Sequence, residues 1–318
     1  MAEPDPFVVV EAGAGNGRLA RDVLRAQPAC LGALHYVLVE RSAPLREEQR
    51  ERLDLEPADE ALGPFSRASS GDSPTAVEGS GPVFVALDEL PALEIRGVVI
   101  ANELLDNLPF GVAESSNDGW REVRIALAPS GEFAEVLVPA ESADAGVLDA
   151  ITAGLVVPVG SRLPIARGLD AWFDVCARLL HRGSLVTIDY VDDVSGLVRR
   201  GAAPGSATSW LRTYRAHQRA GSPLDAAGEC DITADIVREQ LLRAARASGF
   251  ALVADQSQAE WLRDLGIDDL VDDARRTWDE RAHLGDLEAL AGRSRVGEAT
   301  ALADPEGLGA HRVVTFGR

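Results

Sequence analysis

Along the first half of the chain the apolar positions alternate between two periods. Runs rich in β-branched residues read as buried strands: "FVVVEA" (Phe7 to Ala12), "HYVLVE" (His35 to Glu40), "PVFVA" (82–86) and "GVVIA" (97–101). Between them, Arg18 to Ala26 and Ser42 to Leu53 keep a helical spacing, with Ser42 placed as an N-cap and Pro44 in the first turn. Strands separated by helices of this length predict βαβ units and a parallel sheet.

The pattern then changes. Residues 54–82 are rich in Gly, Ser and Pro and predict a mobile surface loop. From Phe110 to Pro139, turn signals at Asn117-Asp118-Gly119 and Pro129-Ser130-Gly131 divide alternating runs, which predicts antiparallel strands inserted after the fourth sheet strand. With the linker behind them, the insertion covers 110–160. Gly168 to Leu180 predicts a helix and "GSLVTIDYV" a fifth strand. After a loop-rich stretch at 190–232, Thr233 to Ser248 predicts a helix and "FALVADQ" a strand. Asp269 to Ala291 predicts one acidic helix, and "HRVVTFG" closes the chain as an apolar strand. The whole, residues 1–318, reads as a single α/β domain.

Composition narrows the partners. With 46% hydrophobic and 26% charged residues the chain has enough apolar material for a large core. A net charge of -20 counts against nucleic acid, whose binding rests on Lys and Arg neutralising phosphates. Cys30, Cys176 and Cys230 lie far apart without metal or disulfide spacing, which fits a reducing cytoplasm and no bound metal. The first residues lack a leader pattern and no apolar run has bilayer length, so a soluble cytoplasmic protein, away from membranes, is expected. High Ala and Arg content with few aromatics points to a GC-rich bacterial genome.

Chemistry first shows in "FVVVEAGAGNGRLARDVLRA", where a strand breaks into glycines and then into a helix. The dinucleotide fingerprint G-x-G-x-x-G would need glycine at position 18, which is Arg18. What stands is Glu11 followed by Gly13, Gly15 and Gly17. Glycines let the backbone approach a ligand, and a carboxylate at the strand end suits an ammonium group. This arrangement resembles motif I of class I S-adenosylmethionine-dependent methyltransferases. Glu40, ending the second strand, stands where an acid meets ribose hydroxyls, and Asp88, after the third, borders the expected adenine end.

A second cluster, "ANELLDNLP", follows the fourth strand at the sheet edge where such folds bind ligands. In a helical opening turn Asn102, Glu103 and Asp106 would crowd one edge, with Pro109 ending the helix. Helix capping explains the same residue types, and the spacing alone leaves the two readings level.

The ordered segments "VVVEAGAGNGRLARDVL", "VLVERSAPLREEQ", "VVIANELLDNLP", "GSLVTIDYV", "LRTYRAH", "GECDITAD", "QAEWLRDLGI" and "GLGAHRVVTFGR" resemble those of the MidA-type methyltransferases. That family includes a mitochondrial complex I assembly factor acting on a protein arginine. The resemblance implies a Rossmann-like class I methyltransferase fold, mostly parallel with an antiparallel C-terminal strand and an inserted substrate-side region. It implies S-adenosylmethionine as cofactor and a protein arginine as acceptor. Glu11, Gly13, Gly15, Gly17 and Glu40 would line the cofactor, and Asn102, Glu103 and Asp106 the reacting edge. Asp189 and Tyr190 would end the fifth strand, with Arg212, His217, Asp231 and Thr233 over the same mouth.

Three departures bear on the acceptor side. The family carries a segment before the first strand that helps cover the site, whereas Phe7 opens the first strand here, which implies a more open pocket or a start further upstream. Asp235 stands where the family usually has His, and Val191 where Gly is usual. A small-molecule methyltransferase and a non-catalytic cofactor-binding assembly factor therefore stay open as alternatives. His217 is a candidate base. Trp172 and Phe173 are expected in the core, and Trp210 in the core or at the mouth.

Overall fold

The computed structural model describes residues 4–62, 80–202, 205–215, 218–225 and 227–318. The first part runs β1 (Phe7–Ala12), α1 (Arg18–Ala26), β2 (Leu34–Val39), α2 (Ala43–Arg52), α3 (Ala58–Ala61), β3 (Val83–Leu87) and β4 (Ile95–Asn102). Next come β5 (Gly111–Ser116), β6 (Gly119–Leu127), β7 (Phe133–Pro139), α4 (Ser142–Ile151) and β8 (Arg162–Ile165). Then follow α5 (Arg167–Leu179), β9 (Leu180–Asp189), β10 (Val191–Asp192), α6 (Val194–Gly201), β11 (Leu211–Arg215), β12 (Gln218–Arg219), β13 (Asp231–Ala234) and β14 (Ile236–Val237). The chain closes with α7 (Arg238–Ala247), β15 (Ala251–Ser257), α8 (Gln258–Asp264), α9 (Ile267–Arg281), α10 (Leu287–Leu302) and β16 (Arg312–Gly317).

The central sheet has the order β15-β16-β9-β4-β1-β2-β3. Neighbours from β9 to β3 are parallel, while β16 is antiparallel to both β9 and β15. Because the early strands carry helices on both sides, their alternate residues are buried on both faces. Val10, Val37, Val85 and Val99 face one core with Phe173 and Phe316, and Val9, Tyr36, Leu38 and Phe84 face the other. Phe173 meets Phe250 and Phe316 edge-on at 5.8 and 5.4 Å, geometry that aromatic quadrupoles favour. Strand order reverses at β1, so the carboxyl ends of β1 and β4 flank the switch point where ligands bind.

The antiparallel sheet β7-β6-β5-β8 follows β4, and α4 interrupts its sequence before β8. Charge ties it to the main body. Arg167 at the start of α5 donates to Glu122 Oε1 at 2.8 Å and to Asp144 Oδ2 at 2.6 Å.

Two element boundaries differ from the sequence expectation. The helix expected from Thr233 begins only at Arg238, because "DITA" alternates and pairs as β13 with β11 while Ile236–Val237 pairs with β10. The single acidic helix is two. Gly285 takes the left-handed conformation that ends the first segment, and Asp286 caps α10 by accepting the Ala289 N–H at 2.9 Å. Of the expected mobile loop, residues 63–79 lie outside the described residues.

Candidate active site

The glycine loop is pinned by backbone and side-chain bonds. Gly13 and Ala14 both donate their N–H to Val39 O, at 2.9 and 3.0 Å. The Gly15 N–H donates to Glu40 Oε2 at 3.0 Å, and Ser42 N–H to Glu40 Oε1 at 2.8 Å. Glu40 therefore braces the loop and the start of α2 together, and the Ser42 hydroxyl makes no capping bond. Gln49, fully buried on α2, donates to Gly15 O at 2.6 Å, a clamp that the sequence did not single out.

The glycines have distinct tasks. Gly15 and Gly17 both have positive φ, +53° and +76°. A Cβ on Gly15 would meet open space, so this residue leaves the cradle clear; one on Gly17 would lie 3.2 Å from both Gln49 Cγ and Leu38 Cδ2, so that glycine serves packing. Beneath the loop, Glu11 is 6% exposed and accepts a hydrogen bond from Tyr36 Oη at 2.8 Å. Burial pushes its pKa up to about 7, the Tyr36 bond opposing. A desolvated carboxylate short of a cation, an open glycine cradle and the Glu40 carboxylate fit the ammonium and hydroxyl groups of S-adenosylmethionine. Asp88 stands exposed just past β3.

The edge after β4 departs from a helical turn. Glu103 has φ +48°, and a 3-10 turn spans Leu105–Asn107. The buried carboxylate of Asp189, at the end of β9, organises it. Its Oδ2 accepts from Leu105 N at 2.8 Å and from Asp106 N at 3.3 Å, while Oδ1 accepts from Tyr190 N at 2.8 Å. Asn107 donates to Asp106 Oδ1 at 2.7 Å.

Glu103 and Asp106 thus come together by another geometry than the one expected. They line an open cleft of about 470 Å³ with Asn107, Tyr190, Arg212, Tyr214, Asp231 and Thr233. Asn102 remains exposed at the end of β4 and is not among these lining residues. Burial and then the Glu103 charge raise Asp106 to about 6, and burial with the Asp106 charge raises Asp189 to about 7. Gly13 links cleft and loop, since its missing Cβ leaves room for Leu104, whose Cδ1 would lie 3.2 Å away.

The antiparallel pair β11 and β13 supplies the facing wall. Arg212 is opposite Thr233 and Tyr214 opposite Asp231, so all four side chains share one face. Arg212 Cζ lies 4.7 Å from the Tyr190 ring centroid, and Nη1 donates to Asp235 Oδ1 at 2.5 Å. Asp235 also accepts from Arg200 Nη2 at 2.8 Å, so the acid at the family's histidine position is locked between two guanidinium groups. Val191 pairs with Ile236 in the short β10–β14 ladder. Trp210 is fully buried, meets Phe110 edge-on at 6.0 Å and donates Nε1–H to Arg162 O, so it belongs to the core. His217 lies outside the described residues. Asn107 and Tyr214 went unassigned from sequence. The two-residue spacing of Arg212 and Tyr214 in an alternating segment was the signal for the second.

Comparison with known proteins gives the class. A family described as "Putative S-adenosyl-L-methionine-dependent methyltransferase" matches residues 1–254, and the chain belongs to that family. "Protein arginine methyltransferase NDUFAF7, mitochondrial" of Mus musculus is 26% identical over 92% of this chain, and its Rattus norvegicus counterpart 26% over 82%. The chain spans 65% and 57% of the length of these two curated relatives. An uncharacterized Burkholderia thailandensis protein of known structure is 27% identical, matching 98% of this chain and 74% of its own, with TM-score 0.74. A second structure from that organism, of a "likely methyl transferase" bound to S-adenosyl-homocysteine, is 28% identical over 98% of this chain and 71% of its own, with TM-score 0.73. The fold is that of a class I methyltransferase, and the cofactor is S-adenosylmethionine. Among the described residues no helix is long and apolar enough to cross a membrane.

Proposed function

We propose that the chain methylates a guanidinium nitrogen of an arginine side chain on a protein. The cleft carries this reading. Glu103, Asp106 and Asp231 share it with two tyrosine rings, while Arg212, the cation among its lining residues, is already paired with Asp235. A guanidinium fork pairs with carboxylates and stacks on aromatic faces, so this lining suits it. The names of the rodent relatives point the same way.

S-adenosylmethionine, when bound, supplies a methyl group carried on a positively charged sulfur. Glu11, Gly13, Gly15, Gly17 and Glu40 would hold it, with Asp88 beside its adenine end. Glu103 and Asp106 orient the acceptor fork, and Asn102 borders the same edge. Two unit cations ~4 Å apart repel by on the order of 4 kcal/mol at an effective dielectric of 20, which these carboxylates offset. Fixing the reactants in line contributes up to roughly 7 to 11 kcal/mol in well-oriented cases.

Residues 1–318 act in this reading as one methyltransferase domain, with 110–160 and 190–232 on the acceptor side. The free thiols of Cys30, Cys176 and Cys230 fit a bacterial cytoplasm, and the charge of -20 disfavours nucleic acid as acceptor. A second reading has one observation in its favour: an open cleft of about 470 Å³ is also the size of a small-molecule site.

Incubating the protein with methyl-labelled S-adenosylmethionine and host lysate separates the readings. Label in a protein band that hydrolyses to methylarginine is expected. Label in an extractable metabolite overturns the protein acceptor, and intact cofactor binding with no label in either fraction overturns catalysis.

A further inference from the structure

Arg46, Gln49 and Arg52 recur at every third position of α2, so they form one row along the helix surface. Each turns a donor toward a backbone carbonyl at the edge of the glycine loop. Arg46 Nη1 donates to Glu40 O at 2.6 Å and to Arg41 O at 2.9 Å, Gln49 Nε2 to Gly15 O at 2.6 Å, and Arg52 Nη1 to Asn16 O at 2.8 Å. The segment "VLVERSAPLREEQ" ends on the middle member of this row.

Gly15 is where the row acts most directly. Its N–H is held by Glu40 Oε2 at 3.0 Å and its carbonyl by Gln49, so the peptide units on both sides of its Cα are fixed. A glycine otherwise ranges over both halves of backbone space, and its φ of +53° is one choice among many. Removing the Gln49 donor loosens ψ.

Gln49 also carries a cost that packing does not explain. It is fully buried, and its Oε1 has no hydrogen-bond partner among the described residues. A buried acceptor left unpaired is unfavourable, and a methionine of similar length would fill the space without one. The bond from Nε2 to the loop is what the amide adds.

We propose that Gln49 is a positioning residue for S-adenosylmethionine, helped by Arg52 at the end of α2: together they hold Gly15 and Asn16 in the ligand-accepting conformation before the cofactor arrives. The inference rests on reading the glycine loop as the cofactor cradle. A site that is competent for only part of the time binds with an affinity reduced by that fraction, so ordering the loop raises affinity without any contact to the ligand. An ordered loop also has less freedom to lose on binding.

Gln49→Met tests this on the full chain, because it keeps the Cγ that closes the space beside Gly17 and removes both amide atoms. In calorimetry the Kd for S-adenosylhomocysteine should rise about 10-fold, near the upper end of what one hydrogen bond contributes. The ligand-free unfolding midpoint should stay level or rise, since the unpaired acceptor is gone. Hydrogen–deuterium exchange at residues 15–17 should quicken in the ligand-free variant and return to the wild-type rate at saturating S-adenosylhomocysteine. A lower midpoint with Kd and loop exchange unchanged is the signature of packing alone and overturns the proposal. Arg52→Met, at the partly exposed end of the row, is the second variant and should weaken binding about 3-fold, with faster loop exchange. Unchanged affinity and exchange there overturn the proposal even where Gln49→Met does not fold. If S-adenosylhomocysteine leaves loop exchange in the wild type unaltered, the glycine loop is not the cradle, and ligand-free exchange still decides whether Gln49 orders it.

Discussion

The Asp189 carboxylate, at the end of β9, accepts the backbone N–H of Leu105 at 2.8 Å, so one strand end holds the turn that follows another. Through that bond the position of Glu103 and Asp106 depends on a residue that does not line the cleft. Asp189→Asn keeps the shape but sets an amide N–H against backbone donors. A hydrogen bond to a charged group contributes about 1.5–3 kcal/mol, and a loss of that order is expected in chemical denaturation. Methyl transfer should fall with it, while S-adenosylhomocysteine affinity, which the proposed site assigns to the glycine loop, should change little in calorimetry. A variant with normal turnover would remove Asp189 from the organisation of the site.

Glu103 adopts φ +48°, a conformation that costs a non-glycine residue about 1–2 kcal/mol. The surrounding bonds hold it there, with its N–H donated to Ile188 O at 2.8 Å. Glu103→Gln preserves size and backbone but removes the charge that would face the acceptor. Single-turnover methylation should drop by about 100-fold or more, with unfolding midpoint and cofactor affinity retained. Unchanged single-turnover rates would sink the assignment.

The extent to which this site could be read from sequence follows from how local each part is. The glycine loop lies within one strand-turn-helix unit, where the change from strand period to helix period and the acids at strand ends are visible in consecutive residues. Phe173 and Trp172 show themselves through helical spacing and are buried on α5. The turn at Glu103 is different, because its conformation is fixed by Asp189 from another strand, and no local spacing encodes that. Helical geometry was the wrong premise even though two of the three residues it grouped meet in the cleft. Tyr214 and Asp231 join it through a pairing of two short strands. Long-range pairing is the information that periodicity lacks.

Gly15 and Gly17 should respond differently to alanine. At Gly15 the added Cβ meets nothing, so only the left-handed backbone is strained, at roughly 1–2 kcal/mol. The protein should fold but bind S-adenosylhomocysteine more weakly, since the cradle is filled. At Gly17 the same strain adds to crowding against Gln49 and Leu38 at 3.2 Å, and overpacking typically costs about 1–3 kcal/mol more. Thermal denaturation should rank Gly17→Ala well below Gly15→Ala. Equal midpoints would contradict the division of labour between the two glycines.

Glu11 sets a pH dependence whose sign is fixed by its environment. Its folded pKa is raised from 4.5 to about 7, so the folded state takes up this proton more readily than the unfolded chain. The stability it contributes is complete below 4.5 and is lost as pH rises through about 7. Asp106 and Asp189, raised to about 6 and about 7, act in the same direction. At about 1.4 kcal/mol per pKa unit, ionising Glu11 at pH 8 costs on the order of 3 kcal/mol in the ligand-free protein. Glu11→Gln escapes that cost and still accepts the Tyr36 hydroxyl. Its melting temperature without ligand should exceed wild type at pH 8, and the gap should close on acidification toward pH 4.5. A cationic ammonium beside Glu11 offsets the same cost, so S-adenosylhomocysteine at pH 8 should raise the wild-type melting temperature more than that of Glu11→Gln. Parallel melting curves across this pH range would show that Glu11 is not a desolvated carboxylate awaiting a cation.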